Sequence, residues 1–388
     1  MIENIKNLFH TSLVRMTTSI TPRKDIWIFS SVDNKKFNYN SRYLFEYVKD
    51  NLPEIHPRYV INDREEREKQ QEQYGEEYFI ESETREGIRK VLEGAVWFTS
   101  AGLPVYGPGL SRNHNIINLW HGVPLKKIAL LENHSSMLQK LYFKGIFSSN
   151  YSAIVTTSGK LTEIMAESFG VAEDKIRVWG QPRNDLLFRK TEREELIRRL
   201  YGITMPVRHL ILYAPTYREY GKTELFPFED FNLEELTDFL RENQILLLIR
   251  YHLEESGDQC LEGEWIRTIN ENRMQDIMEV LSAFDGVITD YSSIYIDFLL
   301  TEKPLVFLPY DQGEYEEKRG MNFSYEEVTP GPKPDTMKAF MKELKKLMQD
   351  PSYYKEERHR LNQFFNEIQE PCAGAICEKI IKEMRNEA

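Results

Sequence analysis

The segment with the clearest capacity for acid–base chemistry spans residues 118–127 and reads NLWHGVPLKK. An apolar run ends directly in Trp-His-Gly, so we expect His121 to lie at the carboxyl end of a strand, where Gly122 permits close backbone approach. Histidine exchanges protons near neutral pH and is the commonest proton-transfer residue in enzymes. A histidine that only closes a strand turn fits the same spacing, so both interpretations stand at this point.

A second segment, residues 245–252 (ILLLIRYH), joins a buried strand to cationic side chains. Its consecutive apolar residues are typical of a strand that is covered on both faces of a parallel sheet. Because side chains alternate along a strand, Arg250 and His252 share one face and could both contact an anion. A solvated strand end is the alternative, since polar residues often close strands.

A third segment, residues 285–299 (DGVITDYSSIYIDFL), contains a strand that should end at Asp290 and a helix that should begin at Ser292 and Ser293. The first N–H groups of a helix and its dipole favour a bound phosphate. Serine at a helix start is also an ordinary N-cap, which stabilises a helix by about 1 kcal/mol without any ligand.

A fourth segment, residues 213–219 (YAPTYRE), places Thr216 and Arg218 after another strand. Arg218 is either a second cation for an anionic ligand or an exposed surface residue. The chain has no GxGxxG or P-loop motif and no carboxylate pair suited to a divalent ion, so we expect neither a dinucleotide nor a metal cofactor.

The elements that must position these residues alternate between short apolar strands and amphipathic helices, a pattern typical of parallel sheets with helices on both faces. We predict strands at residues 25–31, 58–61, 95–100, 116–121, 153–157, 176–180, 209–215, 245–252, 286–289 and 304–309. We predict helices at residues 41–51, 158–169, 192–200, 274–284, 292–301 and 338–349. The predicted fold class is α/β with two doubly wound, Rossmann-like domains, residues 1–184 and 185–388, a ligand cleft between them, and the C-terminal tail closing the second domain.

Composition narrows the classes of function. The chain has 50 Lys and Arg against 62 Asp and Glu, a net charge of −12, which argues against non-specific nucleic-acid binding. Its three cysteines form no CxxC pair, which favours free thiols in a reducing compartment. We expect neither secretion nor integral membrane insertion, because the first 16 residues lack a signal-peptide core and no apolar run is long enough to span a bilayer.

One basic and aromatic stretch stands out against this acidic background, and it follows the His121 segment up to residue 150. It contains Lys126, Lys127, Lys140, Tyr142, Phe143, Lys144 and Phe147. Such a surface fits anionic lipid headgroups. An ordinary amphipathic helix packed on its own domain is the alternative.

Six motifs, taken in order, resemble the CDP-glycerol glycerophosphotransferase family of wall teichoic acid synthesis. They are WHGVPLKK, TTSGKLTEIMAESFG, GQPRNDLL, YAPTYRE, RYH and TDYSSIYIDFLLTEKPLVFLPYD, and the stretch FSSVDNKKFNYNSRYLFEYV resembles the start of that family's catalytic region. The resemblance implies a GT-B architecture, no catalytic metal or other cofactor, and peripheral attachment to the cytoplasmic face of the membrane. It also implies transfer of glycerol phosphate from CDP-glycerol to a hydroxyl of a lipid-linked acceptor, with release of CMP.

The resemblance also implies roles for individual residues. The family's two motif histidines correspond to His121 and His252, with His121 as the base that takes the acceptor proton. The first domain then faces the acceptor and the membrane, and the second binds CDP-glycerol. The implied substrate-binding residues are Ser292, Ser293, Asp290, Arg250, Thr216, Arg218, Gly122 and Arg183.

Alternatives remain within and outside this family. The length of 388 residues favours a primase, which adds one glycerol phosphate to the undecaprenyl-diphosphate-linked ManNAc-GlcNAc disaccharide. A glycerol-phosphate or ribitol-phosphate polymerase is the alternative within the family. A nucleotide-sugar glycosyltransferase of the same fold and a non-catalytic membrane scaffold are the alternatives outside it. The sequence leaves the oligomeric state open.

Overall fold

The computed structural model describes residues 2–133, 135–218, 222–250 and 261–386. These fall into two compact units. The first unit comprises Met1–Asp185 and Glu370–Ala388, and the second unit comprises Leu186–Gln369.

The first unit is built on a seven-stranded parallel sheet in the order β3-β2-β1-β4-β5-β6-β7. Its strands are β1 (Arg23–Ser30), β2 (His56–Val60), β3 (Phe79–Ile80), β4 (Gly94–Thr99), β5 (Asn115–Asn118), β6 (Ala153–Thr156) and β7 (Ile176–Val178). Its helices are α1 (Ile2–Thr17), α2 (Tyr39–Asn51), α3 (Arg64–Tyr74), α4 (Arg85–Leu92), α5 (Met137–Phe143) and α6 (Thr162–Phe169), together with the C-terminal helix described below. The strand order reverses between β1 and β4, which creates the crevice where doubly wound sheets bind ligands.

The second unit repeats this arrangement with a five-stranded parallel sheet. Its helices are α7 (Arg193–Tyr201), α8 (Leu233–Glu242), α9 (Ile294–Phe298), α10 (Gln312–Arg319), α11 (Tyr325–Val328), α12 (Met337–Gln349) and α13 (Lys355–Phe365). Its strands are β8 (His209–Ala214), β9 (Ile245–Ile249), β10 (Ile266–Thr268), β11 (Gly286–Thr289) and β12 (Leu305–Phe307), in the order β10-β9-β8-β11-β12. The order reverses between β8 and β11. The predicted α/β class with two doubly wound parallel sheets is confirmed.

The described tail residues from Glu370 onward belong to the first unit, so the sequence-based assignment of the tail to the second domain is wrong. Helix α14 (Ala373–Asn386) begins on the Asp185 carboxylate, which accepts hydrogen bonds from the N–H groups of Cys372 (2.7 Å) and Ala373 (3.0 Å). Gly374 lies so close to α2 that a Cβ there would meet the Tyr47 hydroxyl at 2.7 Å. The acidic cap and this close contact hold the tail on the first unit.

Several predicted boundaries change for local reasons. Strand β5 ends at Asn118 and β9 at Ile249, so His121 and Arg250 follow these strands in loops rather than lying within them. The helix predicted at residues 274–284 is instead two 3₁₀ turns, Ile277–Glu279 and Leu281–Ala283. The edge strands β3 and β10, of two and three residues, are too short to leave a periodic signal.

Candidate active site

The chain leaves β5 through a tight turn that presents His121. Asn118 accepts a hydrogen bond from the Trp120 N–H through Oδ1 at 2.9 Å, and Trp120 adopts a left-handed backbone conformation with φ of 53°. The left-handed residue of this turn lies one position before His121, where the Asn118 side chain holds it.

The hydrogen bonding of His121 defines which ring nitrogen can act as a base. Nδ1 lies 3.0 Å from the carbonyl oxygen of Ser100. A carbonyl can only accept, so Nδ1 carries the hydrogen and Nε2 carries the lone pair in the neutral ring. The ring packs against Trp120 (4.0 Å between centroids) and Tyr39 (5.0 Å).

The surroundings of His121 keep it neutral. Burial lowers its pKa from 6.5 to about 4, and the nearby positive charge of Arg183 acts in the same direction. Arg183 is itself buried and follows β7 in a 3₁₀ segment, Pro182–Phe188. A neutral imidazole with a fixed lone pair is the form that a general base requires.

Asn40, which the sequence interpretation did not single out, links the two segments around His121. It is fully buried, and its amide donates to the carbonyls of Leu119 (3.3 Å) and Trp120 (2.9 Å) and to Gln181 Oε1 (3.1 Å). Its Oδ1 accepts from the Arg183 N–H at 3.2 Å. The only available signal was its place in the FSSVDNKKFNYNSRYLFEYV motif, because its partners lie 79 to 143 residues away.

The second unit carries a cavity of about 230 Å³ at the carboxyl ends of β8, β9 and β11. Three of the predicted site residues, Thr216, Arg250 and Ser292, line it. They come from three separate sequence segments, and the parallel sheet brings them together at its switch point. Among the residues that the structure describes, the rest of the lining consists of Ala214, Pro215, Tyr217, Thr223, Glu271, Ile277 and Ile294.

Arg250 supplies positive charge to this cavity. Its guanidinium donates to the carbonyls of Ile269 (3.2 Å), Met274 (2.9 Å) and Gln275 (3.2 Å). Burial lowers its pKa, but an arginine stays protonated in proteins. The carbonyl contacts orient the guanidinium and leave its formal charge in place.

Asp290 and Arg218 form a buried ion pair behind the cavity. Asp290 Oδ1 accepts from Thr216 N (2.8 Å), Thr216 Oγ1 (2.5 Å) and Tyr291 N (2.6 Å), and Oδ2 accepts from Arg218 Nη2 (2.8 Å). Arg218 also donates to both carboxylate oxygens of Asp311, at 2.7 and 2.9 Å. Its side chain is only 7% exposed, so the alternative of a surface residue is wrong. The pair holds Thr216 in the cavity wall.

Aromatic rings enclose the same guanidinium. The Arg218 Cζ lies 5.0 to 5.1 Å from the ring centres of Tyr291, Tyr310 and Tyr315. Tyr291 and Tyr315 stack on each other at 4.1 Å. The loops after β8, β11 and β12 therefore meet on one side chain, which fixes the rim of the cavity.

Ser292 and Ser293, the two serines predicted to bind phosphate, occupy different positions. Ser292 lines the cavity, and its Oγ accepts from the Ile294 N–H at 3.4 Å. Ser293 is the N-cap of α9 without a side-chain capping bond. The helix predicted at 292–301 begins two residues later, at Ile294, and changes from α to 3₁₀ at Leu299. Because only five residues are α-helical, its dipole is weaker than expected.

A family profile for CDP-Glycerol:Poly(glycerophosphate) glycerophosphotransferase matches residues 12–382. The chain belongs to this family.

Relatives in the family carry several activities. The chain is 27% identical to a teichoic acid poly(glycerol phosphate) polymerase of Bacillus spizizenii over 386 residues, covering 96% of this chain and 95% of the relative. It is 26% identical to a teichoic acid glycerol-phosphate transferase of Staphylococcus aureus, covering 98% and 100%. A Bacillus subtilis teichoic acid glycerol-phosphate primase is 29% identical over 224 residues, 55% of each chain. The chain spans 46% of the Bacillus subtilis poly(glycerol phosphate) polymerase, about half its length.

Solved structures place the family member in a known architecture. A structure of the wall teichoic acid polymerase TagF matches with a TM-score of 0.79 at 24% identity, covering 100% of this chain and 96% of that chain. This likeness shows a GT-B-like fold. A putative UDP-N-acetylglucosamine 2-epimerase from Listeria monocytogenes matches with a TM-score of 0.56 at 15% identity.

Two predictions about this family member's site remain open. His252 lies outside the described residues, so its pairing with His121 stays a prediction. Within the described ranges no group of three or more His, Cys, Asp or Glu side chains is arranged to hold a metal ion. The metal-free mechanism also stays a prediction.

Proposed function

We infer that this chain transfers glycerol phosphate from CDP-glycerol to a hydroxyl of a lipid-linked teichoic acid acceptor and releases CMP. The observation that carries the proposal is His121, a neutral imidazole whose Nδ1 is committed to the Ser100 carbonyl and whose Nε2 holds the lone pair. Family membership supports the donor and the type of reaction.

In the proposed reaction, the acceptor oxygen attacks the phosphorus that carries glycerol, and the bond from that phosphorus to the CMP oxygen breaks. The hydroxyl proton moves to His121 Nε2, and the negative charge that develops on CMP is stabilised by fixed donors. General base catalysis of this kind contributes about 10² to 10⁴-fold.

The cavity of the second unit is the proposed donor site. Arg250 supplies a fixed positive charge, and the hydroxyl of Ser292 is a donor for a phosphate oxygen. The Thr216 hydroxyl gives its hydrogen to Asp290 Oδ1, so Thr216 shapes the cavity wall. Asp290 and Arg218, predicted as substrate ligands, fit better as the ion pair that holds Thr216, because four protein donors already occupy the Asp290 carboxylate. His252 is the further proposed stabiliser of the leaving group, and Ser293, Gly122 and Arg183 keep their proposed substrate-binding roles.

A surface on α5 supports the proposed attachment to the cytoplasmic face of the membrane. Met137, Leu138 and Leu141 are 78%, 78% and 56% exposed, and Lys140 and Lys144 lie in the same stretch. Apolar side chains beside lysines suit an anionic lipid surface, where the proposed acceptor is anchored. Among the helices in the described ranges, none has both the length and the apolar composition of a membrane span.

The decisive experiment incubates the protein with CDP-glycerol and a synthetic lipid-linked disaccharide, measures CMP and weighs the products. The expected result is CMP release together with an acceptor that gains glycerol phosphate. CMP release should be lost in His121→Ala while CDP-glycerol affinity changes less than two-fold. Absence of product from CDP-glycerol, or normal CMP release by His121→Ala, contradicts the proposal.

His114 provides a matched control for that variant. It is a buried histidine of the same unit, its Nδ1 lies 2.8 Å from the Gly94 carbonyl, and burial lowers its pKa to about 4 as in His121. It lies at the amino end of β5 rather than the carboxyl end. His114→Gln should therefore keep CMP release if the protein is folded.

The product distribution separates two finer proposals. A single added glycerol phosphate supports the primase that the sequence length favoured, and a ladder of products supports a polymerase. The polymerase is the second candidate because a polymerase relative is covered over 95% of its length, so length does not distinguish the two activities. A parallel reaction with CDP-ribitol tests the choice of donor.

A further inference from the structure

We propose that Asn40 and Ser41, in the first turn of α2, are positioning residues for the His121 base. The inference rests on the proposed function, in which His121 accepts the proton. Both residues are fully buried, and each reaches His121 through a different main-chain group. Neither contacts the reacting atoms directly in this scheme.

Ser41 acts through Ser100. The Ser41 N–H donates to Ser100 Oγ at 2.9 Å, and Ser100 Oγ donates to Ser41 Oγ at 2.9 Å. The Ser100 N–H donates to the Ser30 carbonyl at 3.1 Å. Ser100 is thus held at both its side chain and its amide, and its carbonyl is the group that accepts the His121 Nδ1–H. The hydroxyl of Ser41 therefore helps to select the ring tautomer that leaves Nε2 basic.

Asn40 acts on the backbone directly before His121. Its amide donates to the carbonyls of Leu119 and Trp120, the two residues that precede the histidine. These bonds fix the peptide planes of the turn and hence the direction of the imidazole. Loss of these two hydrogen bonds should change the orientation of the His121 ring while its Nδ1 contact with the Ser100 carbonyl remains.

The backbone next to these residues carries strain of the kind found at functional sites. Tyr39 has φ of 58°, a conformation that side chains with a Cβ rarely adopt. In that conformation its ring packs on His121 at 5.0 Å. Three consecutive residues therefore surround His121. Tyr39 contacts its ring, Asn40 binds the backbone before it, and Ser41 binds Ser100, whose carbonyl accepts the His121 Nδ1–H.

The test combines kinetics with a direct measurement of the tautomer. Protein labelled with ¹⁵N-histidine reports the protonation of Nδ1 and Nε2 by NMR, and the His121 signals are assigned by their absence in His121→Gln. In Ser41→Ala we expect kcat to fall about 10- to 100-fold, as small displacements of catalytic groups do, with the KM for CDP-glycerol within two-fold. The Nδ1–H tautomer should give way to a mixture, and Ser41→Thr should restore both kcat and the tautomer.

Asn40→Ala provides an independent second arm if Ser41→Ala is unstable. It should lower kcat by a similar factor while the Nδ1–H tautomer persists, because the Ser100 contact remains. Ser168→Ala is the matched control, since Ser168 is a fully buried serine of the same unit, on α6, outside the His121 network. It should change neither kcat nor the tautomer.

The outcomes separate this inference from the proposed function. A Ser41→Ala protein with unchanged tautomer and kcat within two-fold overturns the positioning role. If the tautomer changes as expected but His121→Ala still releases CMP, the positioning is correct and the role of His121 as base is wrong.

Discussion

Replacing Arg218 by methionine tests whether the buried ion pair holds the second unit together. The guanidinium is 7% exposed and donates to two carboxylates, Asp290 at 2.8 Å and Asp311 at 2.7 and 2.9 Å. Methionine retains most of the side-chain volume but leaves both carboxylates without their cation. Asp290 is almost as buried as the arginine, with 3% of its side chain exposed.

The expected loss follows from that burial. Removing one partner of a buried, hydrogen-bonded ion pair costs about 3–5 kcal/mol, because the remaining charge stays desolvated. Asp311 is 19% exposed, so water can solvate part of its charge. We therefore expect a loss of unfolding free energy near the lower end of this range. The pair of Lys318 and Glu314, exposed by 36% and 63%, is the contrasting case in the same unit, and exposed pairs contribute about 0–1 kcal/mol.

The assay must report on the second unit alone. Trp265 is the only one of the five tryptophans within Leu186–Gln369. In protein labelled with 5-fluorotryptophan, its ¹⁹F resonance during urea titration gives the free energy of unfolding of that unit. Arg218→Met should lower this value by about 3 kcal/mol, and Lys318→Met should lower it by less than about 1 kcal/mol. A loss below 1 kcal/mol in Arg218→Met would refute the reasoning. Arg218→Lys keeps the positive charge but lacks the planar guanidinium that donates to both carboxylates, so its loss of unfolding free energy should lie between those of Arg218→Met and Lys318→Met.

Three further predictions concern other parts of the molecule. Burial lowers the pKa of both His114 and His121 from 6.5 to about 4, so the unfolded chain binds more protons than the folded chain between these pH values. The free energy of unfolding of the first unit should therefore fall as pH drops from 6.5 towards 4, by up to about 3 kcal/mol per histidine. Urea titration at pH 7, 5.5 and 4.5 measures this change, and a flat profile contradicts the neutral state of these imidazoles. Gly331→Ala should lower the melting temperature, because its Cβ would lie 2.3 Å from a main-chain carbonyl of β12, whereas Gly313→Ala in α10, with no atom within 4 Å, should leave it unchanged or raise it through helix propensity. Leu138→Ser should weaken co-sedimentation with phosphatidylglycerol vesicles, and equal binding by the variant and the unmodified protein would rule out the α5 surface as the contact.

Local patterns were sufficient wherever a feature depends on neighbours along the chain. The apolar runs at β8, β9 and β11 and the polar residues that follow them predicted that Thr216, Arg250 and Ser292 would lie at strand ends. The structure brings these three side chains to one cavity, as expected for parallel strands on either side of a switch point. The motifs also identified the family that the profile match shows.

What the sequence determined by itself is therefore the α/β class, the family, and which segments carry polar groups at strand ends, since these follow from hydrophobic periodicity and short motifs. Only the tertiary structure decided which polar groups pair with each other. Asn40 contacts groups 79 to 143 residues away, Arg218 is neutralised by carboxylates 72 and 93 residues away, and Asp185 holds the tail across 187 residues. Such hydrogen bonds and ion pairs form between groups that are close in space but distant along the chain, so their partners become known only once the sheets place them together.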